Sequence, residues 1–289
     1  MNIIAIYQQY PTDNDCLTHL EKVRWPGGPR CPYCNSANTS ALPKEHRYHC
    51  NNCNTSYSVT VGTIFHDTKL DLQKWFLAIS LILNAKKGIS SRQLSRDVEV
   101  NKNTGWYMAM RIRKAMVEHG DLLKGIVECD ECYIGGKPRK GNDPKSGNHK
   151  RGRGTDKIPV VGVIERNGRV KAKVAKDLKS KSLARFIREK VQIEGATVMT
   201  DEFSGYCRLK YFVKHETINH QVAYVCGNIH TNSIESFWAI LKRGIVGQYH
   251  KVSAKHLGKY IDEFSYRFNH RKNPEVFALT LSNAVGVTQ

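Results

Sequence analysis

Apolar and polar positions change pattern three times along this chain, and each change predicts a different kind of element. Near the start, a short helix is predicted over residues 16–23, closed by the turn Trp25-Pro26-Gly27-Gly28-Pro29. From 69 to 119 the period becomes helical: Leu72, Trp75, Phe76, Ile79 and Leu83 recur three and four apart, as one face of an amphipathic helix does. A short capped helix over 88–98 follows, and a further helix runs from Asn101-Lys102-Asn103-Thr104 through Met116. Beyond 126, short apolar runs alternate with helical stretches. Strands are predicted at 127–134, 158–165, 170–175 and 198–200, and helices at 182–191, 232–243 and 256–269. This β-β-β-α-β-α order is an α/β pattern.

Cysteine spacing adds a separate module before the helices. Cys31-Pro32-Tyr33-Cys34, fifteen residues, then Cys50-Asn51-Asn52-Cys53 make a C-x2-C-x15-C-x2-C array with hairpin-forming residues between the pairs. Two knuckles of two thiolates can close a tetrahedron around Zn²⁺, and four Cys ligands leave no open position, so the metal is expected to be structural. A module this small buries too little apolar surface to fold alone, so zinc binding should supply much of its folding energy. Cys129 and Cys132 form another C-x2-C, but residues three apart on a strand face opposite ways, so a second zinc site is not expected there.

Charge then narrows the partner. Lys and Arg number 45 against 26 Asp and Glu, for a formal +19. An excess of that size favours a polyanion, because each neutralised phosphate releases condensed counterions. No apolar run reaches the roughly 18 residues of a membrane span, and the N-terminus lacks the basic start and apolar core of a signal peptide. An odd count of nine cysteines, four of them at metal spacing, suits a reducing cytoplasm. The two helices at 88–98 and 101–116, joined by a tight turn, match a helix-turn-helix, with Arg92, Lys102, Asn103 and Arg111 as candidate DNA contacts and Arg113 and Lys114 nearby. The segment 137–157 is too polar and glycine-rich to pack a core. It reads as a basic loop whose Arg139, Lys140, Arg151 and Arg153 suit a phosphate backbone.

Three acidic stations carry the chemistry. Asp130 lies within the first strand, Asp201 ends the fourth, and Glu235 sits on the helix that also bears Lys242 and Arg243. Carboxylates from two strands and a helix form a natural site for a pair of Mg²⁺ or Mn²⁺ ions, and with a nucleic-acid partner this points to phosphodiester chemistry. Lys242, seven residues past Glu235, falls on the same helix face and is placed to hold a phosphate. Asn232, one turn before Glu235, competes for the third ligand position; a carboxylate holds Mg²⁺ better than a neutral amide. Strand alternation turns Glu131 and Glu202 away from the site and leaves Glu128 on the face of Asp130. His220 and His230 read as structural or phosphate-contacting positions, with a metal role for His230 as the lesser alternative, and Trp238 reads as core in preference to a base-stacking ring.

The ordered set of motifs resembles the bacterial insertion-sequence transposases that join an N-terminal zinc ribbon to a DDE domain, relatives of the Merlin elements. It runs from Leu20-Glu21-Lys22-Val23-Arg24-Trp25-Pro26 and the four cysteines, through Asp130-Glu131 with Tyr133-Ile134-Gly135-Gly136-Lys137, to Asp201. It continues with His230-Thr231-Asn232-Ser233-Ile234-Glu235-Ser236-Phe237-Trp238, Leu241-Lys242-Arg243-Gly244 and Tyr249-His250-Lys251-Val252-Ser253. Cys129 and Cys132 depart from it, standing where Thr or a similar strand residue is expected.

The resemblance implies a multidomain protein: a zinc ribbon in 1–65, a helix-turn-helix region in 66–122, and an RNase H-like DDE domain in 123–289. Such an enzyme binds the terminal inverted repeats of its element as double-stranded DNA, cleaves the ends and joins their 3′-hydroxyls to target DNA. Asp130, Asp201 and Glu235 would hold the metal pair. At least two subunits on DNA are expected, in the cytoplasm at the nucleoid and without a membrane. The rival expectations are a nuclease of the same fold without strand transfer, and a DNA-binding regulator derived from a transposase.

Overall fold

The computed structural model describes residues 1–118, 120–135, 157–218 and 230–286. The chain forms two compact units, Met1–Val117 with Lys272–Gln289, and Glu118–Arg271. The C-terminal segment thus belongs with the N-terminal half, whereas the sequence pattern assigns it to the α/β domain.

The first unit begins with α1 (Ile3–Gln9) and α2 (Asp13–Arg24). The latter starts at a capping box in which Thr12 and Asp15 satisfy each other's backbone N–H groups. Three short strands follow, β1 (Thr39–Leu42), β2 (Arg47–Cys50) and β3 (Thr55–Tyr57), paired antiparallel in that order. α3 (Leu72–Asn84) is the apolar centre of the helical part, with Leu72, Trp75, Phe76, Leu77, Ala78, Ile79 and Ile82 all buried. α4 (Ser91–Asp97) and α5 (Lys102–Lys114) are capped by Ser90 and Asn101. The chain reverses between them with Glu99 at φ 52°. Their approach requires Gly105, since a Cβ there would lie 2.7 Å from Ser95 Cβ and 2.9 Å from the Ser91 carbonyl oxygen. The last helix, α9, over Val276–Gly286, packs on α2 and α3.

The second unit is built on a five-stranded sheet. Its strands are β4 (Ile126–Ile134), β5 (Ile158–Glu165), β6 (Val170–Val174), β7 (Thr197–Asp201) and β8 (Lys214–Ile218), in spatial order β6-β5-β4-β7-β8. β4, at the centre, pairs antiparallel with β5 and parallel with β7. One face is covered by α6 (Ser180–Lys190), whose Leu183, Phe186 and Ile187 pack with Val127, Cys129, Val161, Val163 and Val198. α7 (Asn232–Gly244) packs on β4 and β5, and α8 (Ala254–Asn269) packs on β6.

Candidate acidic site and zinc centre

The ribbon brings its four sulfurs together. Cys31, Cys34, Cys50 and Cys53 place their Sγ atoms within 4.8 Å of one another, with Cys31–Cys53 at 3.6 Å and Cys34–Cys50 at 3.5 Å. Tetrahedral Zn²⁺ with ~2.3 Å bonds separates its sulfurs by about 3.8 Å, so the donor set fits the ion. Each knuckle turns through a left-handed asparagine, Asn35 at φ 60° and Asn54 at φ 54°. The rest of the module's core is small: Tyr57 with Trp25, Tyr48 and Val61.

The α/β unit positions the acidic residues by strand register. Glu128 of β4 stands opposite Met199 of β7, and two residues further along these parallel strands come Asp130 and Asp201. Asp130 is also paired across the sheet with Gly162. A Cβ at Gly162 would lie 2.6 Å from Trp238 Cη2, so the glycine is what lets the indole lie over the sheet. From there Trp238, 3% exposed, donates its Nε1–H to Asp130 Oδ2 at 3.1 Å. The sequence treats Trp238 as core; the structure adds that it orients Asp130. Asp201 Oδ1 accepts from the Phe203 N–H at 3.0 Å, and Glu235 Oε1 accepts from Thr231 Oγ1 at 3.0 Å.

Electrostatics link the three carboxyl groups. Burial first, then the charges of Glu131, Asp201 and Glu235, push the Asp130 carboxyl up to about 7, against an opposing hydrogen bond from the Glu131 backbone. The three do not all bring a ligand oxygen within 4.8 Å of one another; among the described residues only the four cysteines form so tight a cluster. Lys242 is exposed on α7, and its charge pulls the Cys132 thiol down against the stronger effect of burial. Cys129 and Cys132 are both buried. Cys129 packs with α6, and no second cysteine cluster occurs among the described residues.

Glu128 has a larger part than its face alone foretold. It is wholly buried, and Thr231 at the N-cap of α7 makes no capping hydrogen bond. Glu128 caps the helix instead: Oε2 accepts from the N–H groups of Ser233 at 2.8 Å and Ile234 at 3.1 Å, and Oε1 from Ser233 Oγ at 2.9 Å. Arg166 Nε lies 3.3 Å from Oε1, and His230 Nδ1 lies at 3.3 Å without hydrogen-bond alignment. A carboxylate suits the positive end of a helix. One side chain of β4 therefore ties the strand of Asp130 to the helix of Glu235. Glu131, on the other face, accepts from Tyr206 Oη at 2.9 Å.

The basic candidates are sorted by exposure. Arg92, Lys102, Asn103 and Arg243 are exposed. Arg111 is not: it is 6% exposed, donates to the His66 carbonyl at 2.7 Å and lies 4.9 Å from the Tyr107 ring, so it braces the helix from inside. Arg113 is likewise buried. Helical spacing alone does not say which cations of α5 turn inward. Arg139, Lys140, Arg151, Arg153 and His220 lie outside the described residues. Asn232 is exposed at the first turn of α7.

A family model described as an ISXO2-like transposase domain matches residues 122–269, more than half of the chain. The chain belongs to this transposase family. A second family model, a transposase zinc-ribbon domain, matches residues 11–56 of the transposase, and with the four-sulfur cluster it identifies the ribbon as a structural zinc site. A Halobacterium salinarum protein described as "Uncharacterized protein in transposable element ISH50" is 29% identical over 261 residues, covering 86% of this chain and 88% of its own. Among solved structures, a pre-cleavage Mos1 transpososome is similar at 14% identity and TM-score 0.26, over 71% of this chain and 78% of that one. The Mos1 strand transfer complex is similar at 12% identity and TM-score 0.27, over 72% and 78%. Among the described residues no helix is long and apolar enough to cross a membrane.

Proposed function

We propose that this family member is a DDE-type transposase that binds the ends of its own element as double-stranded DNA, cleaves them and joins the 3′-hydroxyls to target DNA. The observation that carries this reading is the parallel register of β4 and β7, which sets Asp130 and Asp201 two residues beyond the Glu128–Met199 pair, with Glu235 on α7 close enough for its charge to reach Asp130. Carboxylates whose charges meet invite cations, and Asp130, Asp201 and Glu235 would be the groups to hold them. Bound Mg²⁺ or Mn²⁺ would activate the attacking oxygen and stabilise the leaving one. Trp238 holds one oxygen of Asp130 and Thr231 one of Glu235, which fixes the direction of the remaining lone pairs. Glu235 is favoured over Asn232 as third ligand because its charge reaches Asp130. Lys242 would hold a phosphate oxygen beside it. The sheet order, with β5 antiparallel to the rest, supports an RNase H-like domain. The α4–α5 pair, with Lys102, Asn103, Trp106 and Tyr107 exposed, supports a helix-turn-helix that reads DNA. Joining two ends calls for at least two subunits, working in the cytoplasm.

The test is a cleavage and joining assay on DNA carrying the gene's own flanking ends, with Mg²⁺ or Mn²⁺, beside an Asp201→Asn control. Metal-dependent joined products that vanish in the control support the proposal. Cuts without joining point to a nuclease, and tight binding with neither to a regulator.

A pH dependence follows for Asp130. Its folded pKa of about 7 lies above the ordinary value near 3.9, so without metal the native state favours the neutral acid. The stability this contributes is fully present below about pH 4 and is lost as pH rises through about 7. A bound cation favours the carboxylate, so binding must release a proton below that pH. Calorimetric titration of Mn²⁺ between pH 5.5 and 8 is expected to show affinity falling about tenfold per pH unit below about 7. A flat profile would show that the Asp130 carboxyl is already ionised across this range or is not a ligand, and Asp130→Asn, which weakens Mn²⁺ binding only in the first case, separates the two.

A further inference from the structure

The α6 side of the α/β unit carries a basic groove that neither the acidic site nor the zinc centre uses. α6 buries Leu183, Ala184, Phe186 and Ile187, while Lys181, Arg185 and Arg188 recur four and three residues apart and are exposed. Beyond a cavity of about 650 Å³ stand Arg208 and Tyr211, from the segment that follows β7. The one carboxylate in the lining, Glu189, is paired with Lys173 at 3.2 Å, so it does not cancel the cations facing the groove. The Arg188 guanidinium lies 4.1 Å over the Phe212 ring, which holds it in place. Tyr211 is 77% exposed, the most exposed large apolar side chain among the described residues. A merely solvated helix face needs charges alone. This one adds a concavity, a stacked guanidinium and an exposed ring, over which the Lys210 ammonium lies at 5.2 Å.

We propose that this groove binds the sugar–phosphate backbone of duplex DNA. The stripe from Lys181 to Arg188 is roughly 10 Å long at 1.5 Å per residue, about the axial rise of three base pairs at 3.4 Å each. Arginine forks match phosphate oxygens, and the Tyr211 ring can pack on a deoxyribose edge. β6 and β7 run parallel, because β6 and β4 are both antiparallel to β5 while β4 is parallel to β7, and α6 starts just past the end of β6. The groove therefore begins at the sheet end where β7 delivers Asp201, on the face opposite the one where Trp238 of α7 meets Asp130, so DNA reaching it from the acidic residues would pass around that end. The inference rests on the reading of the protein as one that acts on DNA.

The test compares full-length protein with a Lys181→Ala/Arg185→Ala/Arg208→Ala variant, without added divalent ions, by fluorescence anisotropy on random-sequence duplex DNA across a salt series. Each phosphate contact contributes a slope of about 0.9 to log affinity against log salt. The variant is expected to bind more weakly and to lose about 2–3 from that slope, with an unchanged circular dichroism spectrum. Tyr211→Ser should weaken binding without changing the slope, since no charge is removed. Equal affinity and slope in wild type and triple variant would overturn the proposal. If the wild type cuts and joins DNA while the slopes are equal, the groove alone fails. A wild type that neither cuts nor joins, but whose slope falls in the variant, overturns transposition and leaves the groove standing.

Discussion

Glu128→Ala is expected to speed hydrogen exchange at the Ser233 and Ile234 amides by roughly 100-fold or more, and to abolish DNA cleavage if the proposed activity is correct. The carboxylate is wholly buried and is the acceptor for both amides, for Ser233 Oγ and for Arg166. Removing it leaves two helix N–H groups without their acceptor and takes one of its partners from the Arg166 guanidinium, which is only 18% exposed. Loss of one partner from a buried charged pair costs about 3–5 kcal/mol, and 1.4 kcal/mol is about tenfold in an opening equilibrium. Glu128→Gln keeps an acceptor but loses the charge that matches the helix end, so a smaller effect of about 1–3 kcal/mol is expected. The order Ala, then Gln, then wild type in amide protection is the signature of a cap. Equal protection in all three proteins would show that α7 is held by Trp238 and Ile234 packing alone. The role is one of positioning: Glu128 would act through the placement of Glu235 and Lys242.

Removing zinc, by a strong chelator or by Cys31→Ser, is expected to unfold the ribbon while the α/β unit keeps its secondary structure. The ribbon's hydrophobic cluster contains only a few residues besides its own ligands, whereas the α/β unit has a continuous core between α6 and the sheet. Zinc binding to comparable small modules contributes roughly 10–16 kcal/mol at neutral pH, as much as the whole stability of an ordinary domain. Metal analysis should give one zinc per chain before treatment. After it, the aromatic circular dichroism of the Trp25, Tyr48 and Tyr57 cluster should collapse, because those rings meet at 5.6–5.9 Å only while the knuckles are closed. An aromatic signal that survives complete loss of zinc would mean that the rings, not the metal, hold the module.

Much of this architecture was legible in the chain itself. The C-x2-C pairs required no tertiary information, because thiolate spacing within a knuckle is a local property. The strong periods of α3, α5, α7 and α8 and the apolar runs of β4 and β5 were equally local, and so were the strand and helix positions of Asp130, Asp201 and Glu235. β8 escaped because Lys214-His215-Glu216-Thr217-Ile218 has almost no apolar signal; it is a strand because the edge of β7 offers it a ladder. α1 is too short to display a period, and α9 lies beyond the last periodic stretch, packed on helices from the opposite end of the sequence. Three matters were decided only by the tertiary structure. Arg111 turns inward because the His66 carbonyl waits there. Trp238 meets Asp130 because Gly162, in a different strand, leaves room. Glu128 becomes a helix cap because the helix end it satisfies lies 105 residues away. Local pattern reports what a residue can do, and long-range packing selects which partner it does it with.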